Sequence, residues 1–223
     1  MKITALLPMK GHSERVPNKN MRLFNGQPLY HQIAKTLQDS SLIDSILVNT
    51  DSKIIAEDAA KYFSKIRIID RPEKLQGDTV PMNEIIEFDL SVCDSNHFIQ
   101  THSTNPLLKK ETLKNAIENY FNSLSNYDSI FSVTKLQTRL YDQSGKPVNH
   151  DPRELLRTQD LPLLFEENSN IFIFSKDSFY SAGKKRIGEK PKMFTMDKLE
   201  AIDIDEEKDF ILAETLMRMR QKE

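Results

Sequence analysis

Two groups of residues stand out by type and spacing. The first is Pro8-Met9-Lys10-Gly11-His12-Ser13-Glu14-Arg15-Val16-Pro17-Asn18-Lys19-Asn20, a polar loop with three cations that follows an apolar run at residues 3–7. At the carboxyl end of the first strand of an open α/β sheet, such a loop faces the usual ligand crevice, where backbone N–H groups and cations hold phosphates. A nucleoside triphosphate site fits these residues, and so does a solvated surface loop. The second group is Ala201-Ile202-Asp203-Ile204-Asp205. Read as a strand end, its period-two alternation buries both isoleucines on one face and points both carboxylates to the other. Two carboxylates at i and i+2 can share a hard cation such as Mg²⁺, which keeps waters and takes other ligands from phosphate oxygens. The same pattern suits a strand end with a helix cap at Asp205, and both readings stand on the pattern alone.

Elements able to position such loops recur along the chain. Apolar strings of strand length occur at 3–7, 45–49, 66–69, 98–101, 129–134 and 170–174, and a last strand-like segment at 200–204. The runs are continuous, not alternating, which predicts strands buried on both faces. Leu29, Ile33 and Leu37 recur at helical spacing, and residues 54–62, 83–90 and 111–121 have helical composition and length. Strand followed by helix, repeated at least four times, predicts an α/β fold with a mostly parallel central sheet flanked by helices. After Asp205 a helix is expected through Phe210, Ala213 and Met217.

Between residues 136 and 167 the rhythm fails, and Gly145, Pro147, Pro152 and Pro162 interrupt polar and charged residues. The apolar cluster Leu161-Pro162-Leu163-Leu164-Phe165 is costly to leave in water. A packed arm or a subunit contact is expected there. The whole chain, 1–223, reads as a single domain carrying this inserted arm.

Composition narrows the classes. Thirty-one basic and 33 acidic side chains leave a net charge of −2, so no global field draws the protein to nucleic acid or anionic lipid, and an anion site must be local. The basic stretch Lys184-Lys185-Arg186 with Lys190 and Lys192 has no interleaved aromatics and reads as a solvated loop. The single cysteine, Cys93, cannot pair within the chain; it reads as a packing residue and points to a reducing cytoplasm. Residues 1–8 hold too short an apolar run for a signal peptide, and no stretch reaches about 18 apolar residues. No membrane partner is expected.

Several chemistries lack their motifs. The six glycines, at 11, 26, 77, 145, 183 and 188, cannot supply the dinucleotide fingerprint, and Gly183 and Gly188 have Walker A spacing without its Lys. The five histidines form no HExxH pair, and no G-x-S-x-G elbow occurs. Asp51 follows a buried run and reads either as a site residue or as the cap of the helix near Ile54.

Residues 8–20 resemble the signature of the CMP-sugar synthetases, the acylneuraminate cytidylyltransferases and their KDO relatives, roughly A-R-G-G-S-K-G-x-P-x-K-N. Lys10, Gly11, Ser13, Pro17, Lys19 and Asn20 fall on it in one gapless register. The resemblance continues in order through Gly26-Gln27-Pro28-Leu29, Thr50-Asp51-Ser52, Arg71-Pro72, Asp78-Thr79, Asn105-Pro106-Leu107, Arg157-Thr158-Gln159, Asn168 and Ile202-Asp203-Ile204-Asp205 with Asp209-Phe210. It implies a nucleotide-diphospho-sugar transferase-like fold and transfer of CMP from CTP to the anomeric hydroxyl of a nonulosonic or octulosonic acid, with release of pyrophosphate. In-line displacement at phosphorus needs positioning and charge stabilisation more than covalent work by the protein. The resemblance implies that Lys10 and Lys19 bind the triphosphate with Gly11, Ser13 and Asn20. It implies that Arg71 reads the cytosine edge and that Asp203 and Asp205 hold Mg²⁺. His102, Thr104, Arg157, Gln159 and Asn168 are assigned to the sugar acid. The segment 136–167 corresponds to a dimerisation arm, which would bring Arg157 to a partner's sugar site in a homodimer; an interface salt bridge is the plainer role for that residue.

The chain also departs from the family. Lys10 replaces the usual Arg and loses its planar fork, and Glu14 and Arg15 replace Lys and Gly. His102 stands where a sugar-contacting Gln is usual, and Asn168-Ser169-Asn170-Ile171-Phe172 replaces Asn-Gly-Ala-Ile-Tyr. The sugar acid is where these changes act. Three other readings remain open: a sugar nucleotidyltransferase of another type, a glycosyltransferase using Asp203-Ile204-Asp205 as its metal motif, and a catalytically inactive relative serving as a binding subunit.

Overall fold

The computed structural model describes residues 2–220; Met1 and residues 221–223 of the expected domain lie outside the described residues. In chain order the strands are β1 (Ile3–Leu6), β2 (Leu23–Phe24), β3 (Gln27–Pro28), β4 (Ile43–Thr50), β5 (Ile66–Asp70), β6 (His97–Thr101), β7 (Ser129–Leu136), β8 (Leu164–Ser175) and β9 (Pro191–Met196). The helices are α1 (Tyr30–Gln38), α2 (Lys53–Tyr62), α3 (Met82–Ser91), α4 (Lys110–Ser123), α5 (Lys176–Ser181) and α6 (Glu207–Arg220). The described residues form a seven-stranded sheet in the order β5-β4-β1-β6-β8-β7-β9, plus the small β2-β3 hairpin.

The continuous apolar runs become strands because each one feeds two cores. Ala5 and Leu7 face one side with α1, α2 and α4, whereas Leu6 faces the other with α3 and α5. Ile171 and Ile173 of β8 likewise join the first core, and Phe172 and Phe174 the second. Each such large apolar side chain contributes about 1.5–3 kcal/mol on burial. A third cluster joins Phe24 and Leu29 to Phe210 and Ala213 of α6, closing one end of the sheet.

Strands β5, β4, β1 and β6 are mutually parallel, β8 is antiparallel to both β6 and β7, and β9 is parallel to β7. The carboxyl ends of β1, β4, β5, β6, β7 and β9 therefore share one edge of the sheet with the middle of β8. Ligands of open α/β sheets bind outside such an edge, at the switch in strand order. Next to it, β8 carries an irregularity in its pairing with β7, with Ser169 at φ +54°. Bulges of this kind re-aim side chains beside active sites.

Three expectations are corrected. The strand-like segment 200–204 is not a strand; after β9 the chain turns and runs irregularly into α6. The last strand is β9, an edge strand that opens on Pro191, where the missing N–H faces no ladder partner. Asp205 does not cap α6: the Asp209 carboxylate instead accepts the Asp205 and Glu206 N–H groups at 3.1 and 2.8 Å. Similarly α2 is capped by Ser52, whose Oγ accepts the Ile55 N–H, not by Asp51. Cys93 is buried in the second core, just beyond α3.

Candidate active site

The first loop is held in place by groups from three strand ends. Asp51, freed from capping, accepts the Gly11 N–H at 2.7 Å. A side chain at Gly11 would place its Cβ 2.9 Å from the Ser52 Cβ, so the close approach of the two loops requires glycine. Asn20 donates to the Lys10 carbonyl at 3.0 Å and accepts from Ser103 Oγ at 2.7 Å, tying the loop to the segment after β6. Lys10, Ser13, Lys19, Asn20, Arg71 and His102 then line one cleft of about 290 Å³. Lys10 reaches across it to Asp78, whose carboxyl it holds below the usual range.

A second cleft, of about 430 Å³, is lined by Thr134, Glu167, Asn168, Lys198, Asp203 and Asp205. Its acidic wall is not held by sheet pairing. The Ile204 N–H donates to the Thr104 carbonyl at 2.9 Å, and the Asn105 amide donates to the Ile202 carbonyl at 3.3 Å. On the opposite wall the Asn168 carbonyl oxygen accepts from Ser132 Oγ at 2.5 Å, and its amide donates to Thr134 Oγ1 at 2.9 Å.

The two clefts meet at Lys19. Its ammonium donates to the Ile204 carbonyl at 2.5 Å and lies 3.7 Å from the Asp205 carboxylate. Burial lowers the Lys19 pKa, offset in part by Asp205 and Asp203. Arg15 adds a second cation, 2.7 Å from Asp205. Asp203 Oδ1 is buried without a hydrogen-bond partner among the described residues, and burial raises the carboxyl pKa. A carboxylate in that setting gains from a cation brought to it. Among the described residues no third Asp, Glu, His or Cys joins the pair to complete a protein-only cage. Two carboxylates with room for waters and phosphate oxygens are the donor set Mg²⁺ takes.

The remaining sequence candidates divide. Thr104 and His102 sit at the first cleft; burial pushes the His102 imidazole pKa down to about 4, so the ring is neutral at pH 7. Arg157 and Gln159 are not brought to either cleft of their own chain. They lie exposed on the arm, Arg157 in a two-point ion pair with Asp160 at 2.6 and 3.1 Å. The stretch read as a solvated loop is also corrected in part. Arg186 folds inward, donates to Gln100 at 2.6 Å and stacks over the Phe172 ring at 3.7 Å. Sequence reasoning passed over Asn49 and Asp89 as well; both are polar residues inside apolar segments, which was the available signal.

The Cytidylyltransferase family profile matches residues 4–222. The chain belongs to the cytidylyltransferase family. This cytidylyltransferase is 32% identical over 238 residues to the CMP-N,N'-diacetyllegionaminic acid synthase of Legionella pneumophila, covering 100% of this chain and 99% of that one. It is 28% identical to the N-acylneuraminate cytidylyltransferase A of Danio rerio, covering 95% of this chain but 50% of that longer protein. In fold it resembles the CMP:2-keto-3-deoxy-manno-octonic acid synthetase complexed with CTP, with a TM-score of 0.72 over 99% of this chain and 100% of the other at 9% identity. The 4-diphosphocytidyl-2C-methyl-D-erythritol synthase of Anaerococcus prevotii has a TM-score of 0.67 over 97% and 96% of the two chains, at 16% identity. No helix among the described residues is long and apolar enough to cross a membrane.

Proposed function

We propose that this cytidylyltransferase transfers CMP from CTP to the anomeric hydroxyl of a sialic-acid-like 2-keto-3-deoxy sugar acid and releases pyrophosphate. The observation that carries the reading is the meeting of Lys19 with the Asp203 and Asp205 segment at the seam between two clefts. One cleft takes the nucleotide and the other the sugar acid, so the α-phosphate and the attacking hydroxyl come together at the seam. The activities for which the Legionella pneumophila and Danio rerio relatives are named support this substrate class.

Each group then has a task. Lys10 and Lys19 hold phosphate oxygens, exchanging their present carboxylate and carbonyl partners for the triphosphate. Gly11 and Ser13 bring the loop against it, and Asn20 keeps the loop closed on Ser103. Arg71 presents its free edge to the base. Asp203 and Asp205 hold Mg²⁺, which when bound supplies charge neutralisation at the reacting phosphate oxygens. His102 and Thr104, which the resemblance assigns to the sugar acid, line the first cleft, whereas Asn168 lines the cleft for the sugar acid. Arg157 and Gln159 of the partner subunit complete it in a homodimer, and a guanidinium fork suits the sugar's carboxylate. The dimer is supported by exposed apolar side chains on the arm, Leu155 at 92% exposure foremost, with Tyr141, Val148 and Leu163. The single buried cysteine supports a cytoplasmic setting.

The test is pyrophosphate release from each of the four nucleoside triphosphates with Mg²⁺ and a panel of nonulosonic and octulosonic acids. Release with CTP and one acid, lost in Asp205→Ala, is expected. Tight CTP binding with no release for any acid would overturn the reading and favour a non-catalytic binding subunit.

A further inference from the structure

The inward face of α3 is apolar at Ile85, Ile86 and Leu90, yet it carries one carboxylate, Asp89, at 0% exposure. An apolar side chain would fill that position without the desolvation cost of a buried carboxylate. The cost is not recovered locally, because Asp89 Oδ2 has no hydrogen-bond partner among the described residues. Its other oxygen, Oδ1, accepts from the Asn49 amide at 2.6 Å. Asn49 is itself fully buried on β4, and its Oδ1 accepts from Arg71 Nε at 2.8 Å. Arg71 Nη2 donates to the Asn49 and Met9 carbonyls at 2.8 and 3.1 Å. Nη1 has no protein partner among the described residues, and Arg71 lines the first cleft.

We propose that Asp89 is a positioning residue that sets the Arg71 guanidinium for base recognition through the Asn49 amide. This rests on the reading of that cleft as the CTP site. An asparagine amide has a donor end and an acceptor end, and a buried one is oriented by its partners. An ionised Asp89 only accepts, so it holds the Asn49 amide nitrogen and leaves the carbonyl oxygen for Arg71 Nε. A protonated Asp89 can donate to the Asn49 oxygen and stabilise the flipped amide, which then sets a donor against the Arg71 donor. Arg71, entering from the end of β5, is the charged group whose field acts on Asp89, and Asp51 at the end of β4 acts on Arg71 from the other side. Burial nonetheless raises the Asp89 carboxyl to about 7, so this orientation titrates near neutral pH.

The experiment is calorimetric titration of CTP and UTP, with Mg²⁺, into the full-length wild type, Asp89→Asn, Asn49→Ser and the double variant, between pH 6 and 8. At pH 8 either single variant is expected to weaken CTP binding about tenfold and to reduce the preference for CTP over UTP, the scale of losing a hydrogen bond to a charged group. The double variant should bind no more weakly than the singles, because the residues act as one relay. On going from pH 8 to 6 the wild type should lose affinity relative to Asp89→Asn, a ratio in which the titration of CTP itself cancels. In turnover with the accepted acid, the loss should fall on the CTP KM, with kcat changed about twofold or less. A folded Asp89→Asn with wild-type affinity, selectivity and pH profile would overturn the proposal and leave the CTP reading intact. A wild type that binds all four nucleoside triphosphates equally would instead overturn the CTP reading, and the relay with it. If Asp89→Asn fails to fold, Asn49→Ser and the wild-type pH profile decide the matter.

Discussion

The two halves of the sheet build their clefts differently. On the side of β5, β4, β1 and β6, parallel strands bring four loop ends together, and the first cleft is lined by residues that hydrogen-bond one another within the chain. Asp51 with Gly11, Ser103 with Asn20 with Lys10, and Asn49 with Arg71 form one interlocked frame. On the side of β8, β7 and β9, the second cleft has an acidic wall pinned by hydrogen bonds to the segment after β6, a bulge at Ser169, and a β7–β8 connection whose exposed Arg157 and Gln159 do not line it. The first cleft is framed within one chain, whereas on the proposed reading the second takes further residues from a partner subunit. On that reading the nucleotide falls to the parallel half and the sugar acid to the bulged, antiparallel half.

The largest expected effect joins the halves. Asp205→Ala removes a carboxylate from the seam and should lower kcat by about 10²–10³, the scale for one preorganised charge-stabilising group, in a pyrophosphate-release assay. An effect below tenfold would separate the seam from the chemistry.

Next comes the test of incompleteness. Arg157→Ala should raise the KM for the sugar acid about tenfold, the cost of a charge-assisted pair, while calorimetry shows CTP affinity unchanged. Leu155→Asp should abolish the proposed dimer in sedimentation and produce the same KM defect. A monomeric variant with normal sugar kinetics would break the comparison.

A smaller effect probes the cost of the rigid half. Burial pushes the Asp89 carboxyl up to about 7, well above the ordinary carboxylate range. A raised value means that the group's contribution to native stability is complete below about pH 3.8 and is lost as the pH climbs through 7. Asp89→Asn should therefore be more stable than wild type at pH 8 by roughly 1–3 kcal/mol. The difference should shrink as the pH is lowered, which thermal melts across pH will show. The smallest effect belongs to the other half: Ser169→Gly removes a side chain from φ +54° and should stabilise by roughly 1 kcal/mol or less without altering CTP affinity.

Much of this was legible in the chain itself. The strands at 3–7, 45–49 and 98–101 are visible because residues buried on both faces must be apolar without a break. The loop 8–20 and the pair Asp203 and Asp205 are visible because cations and carboxylates at such short spacing stand out along the chain. The edge strand β9 was missed because it begins with Pro191 and interleaves Lys192 with Met193, a pattern an edge tolerates and a buried run does not. The hairpin β2-β3 was missed although Asn25-Gly26, both at positive φ, is a recognised turn signal.

The sequence by itself determined the α/β class, the first loop and the acidic pair, because local periodicity and short-range residue chemistry are written along the chain. Only the tertiary structure decided that Asp51 braces Gly11 instead of capping a helix, and that residues 202–205 hang on backbone bonds instead of a sheet ladder. It also decided that Asp89 reaches Arg71 through Asn49 and that Arg157 pairs with Asp160 outside both clefts of its own chain. The physical reason is the same in each case: these roles depend on partners tens of residues distant, and burial or hydrogen bonding between such partners is fixed only when the strands that carry them are packed side by side.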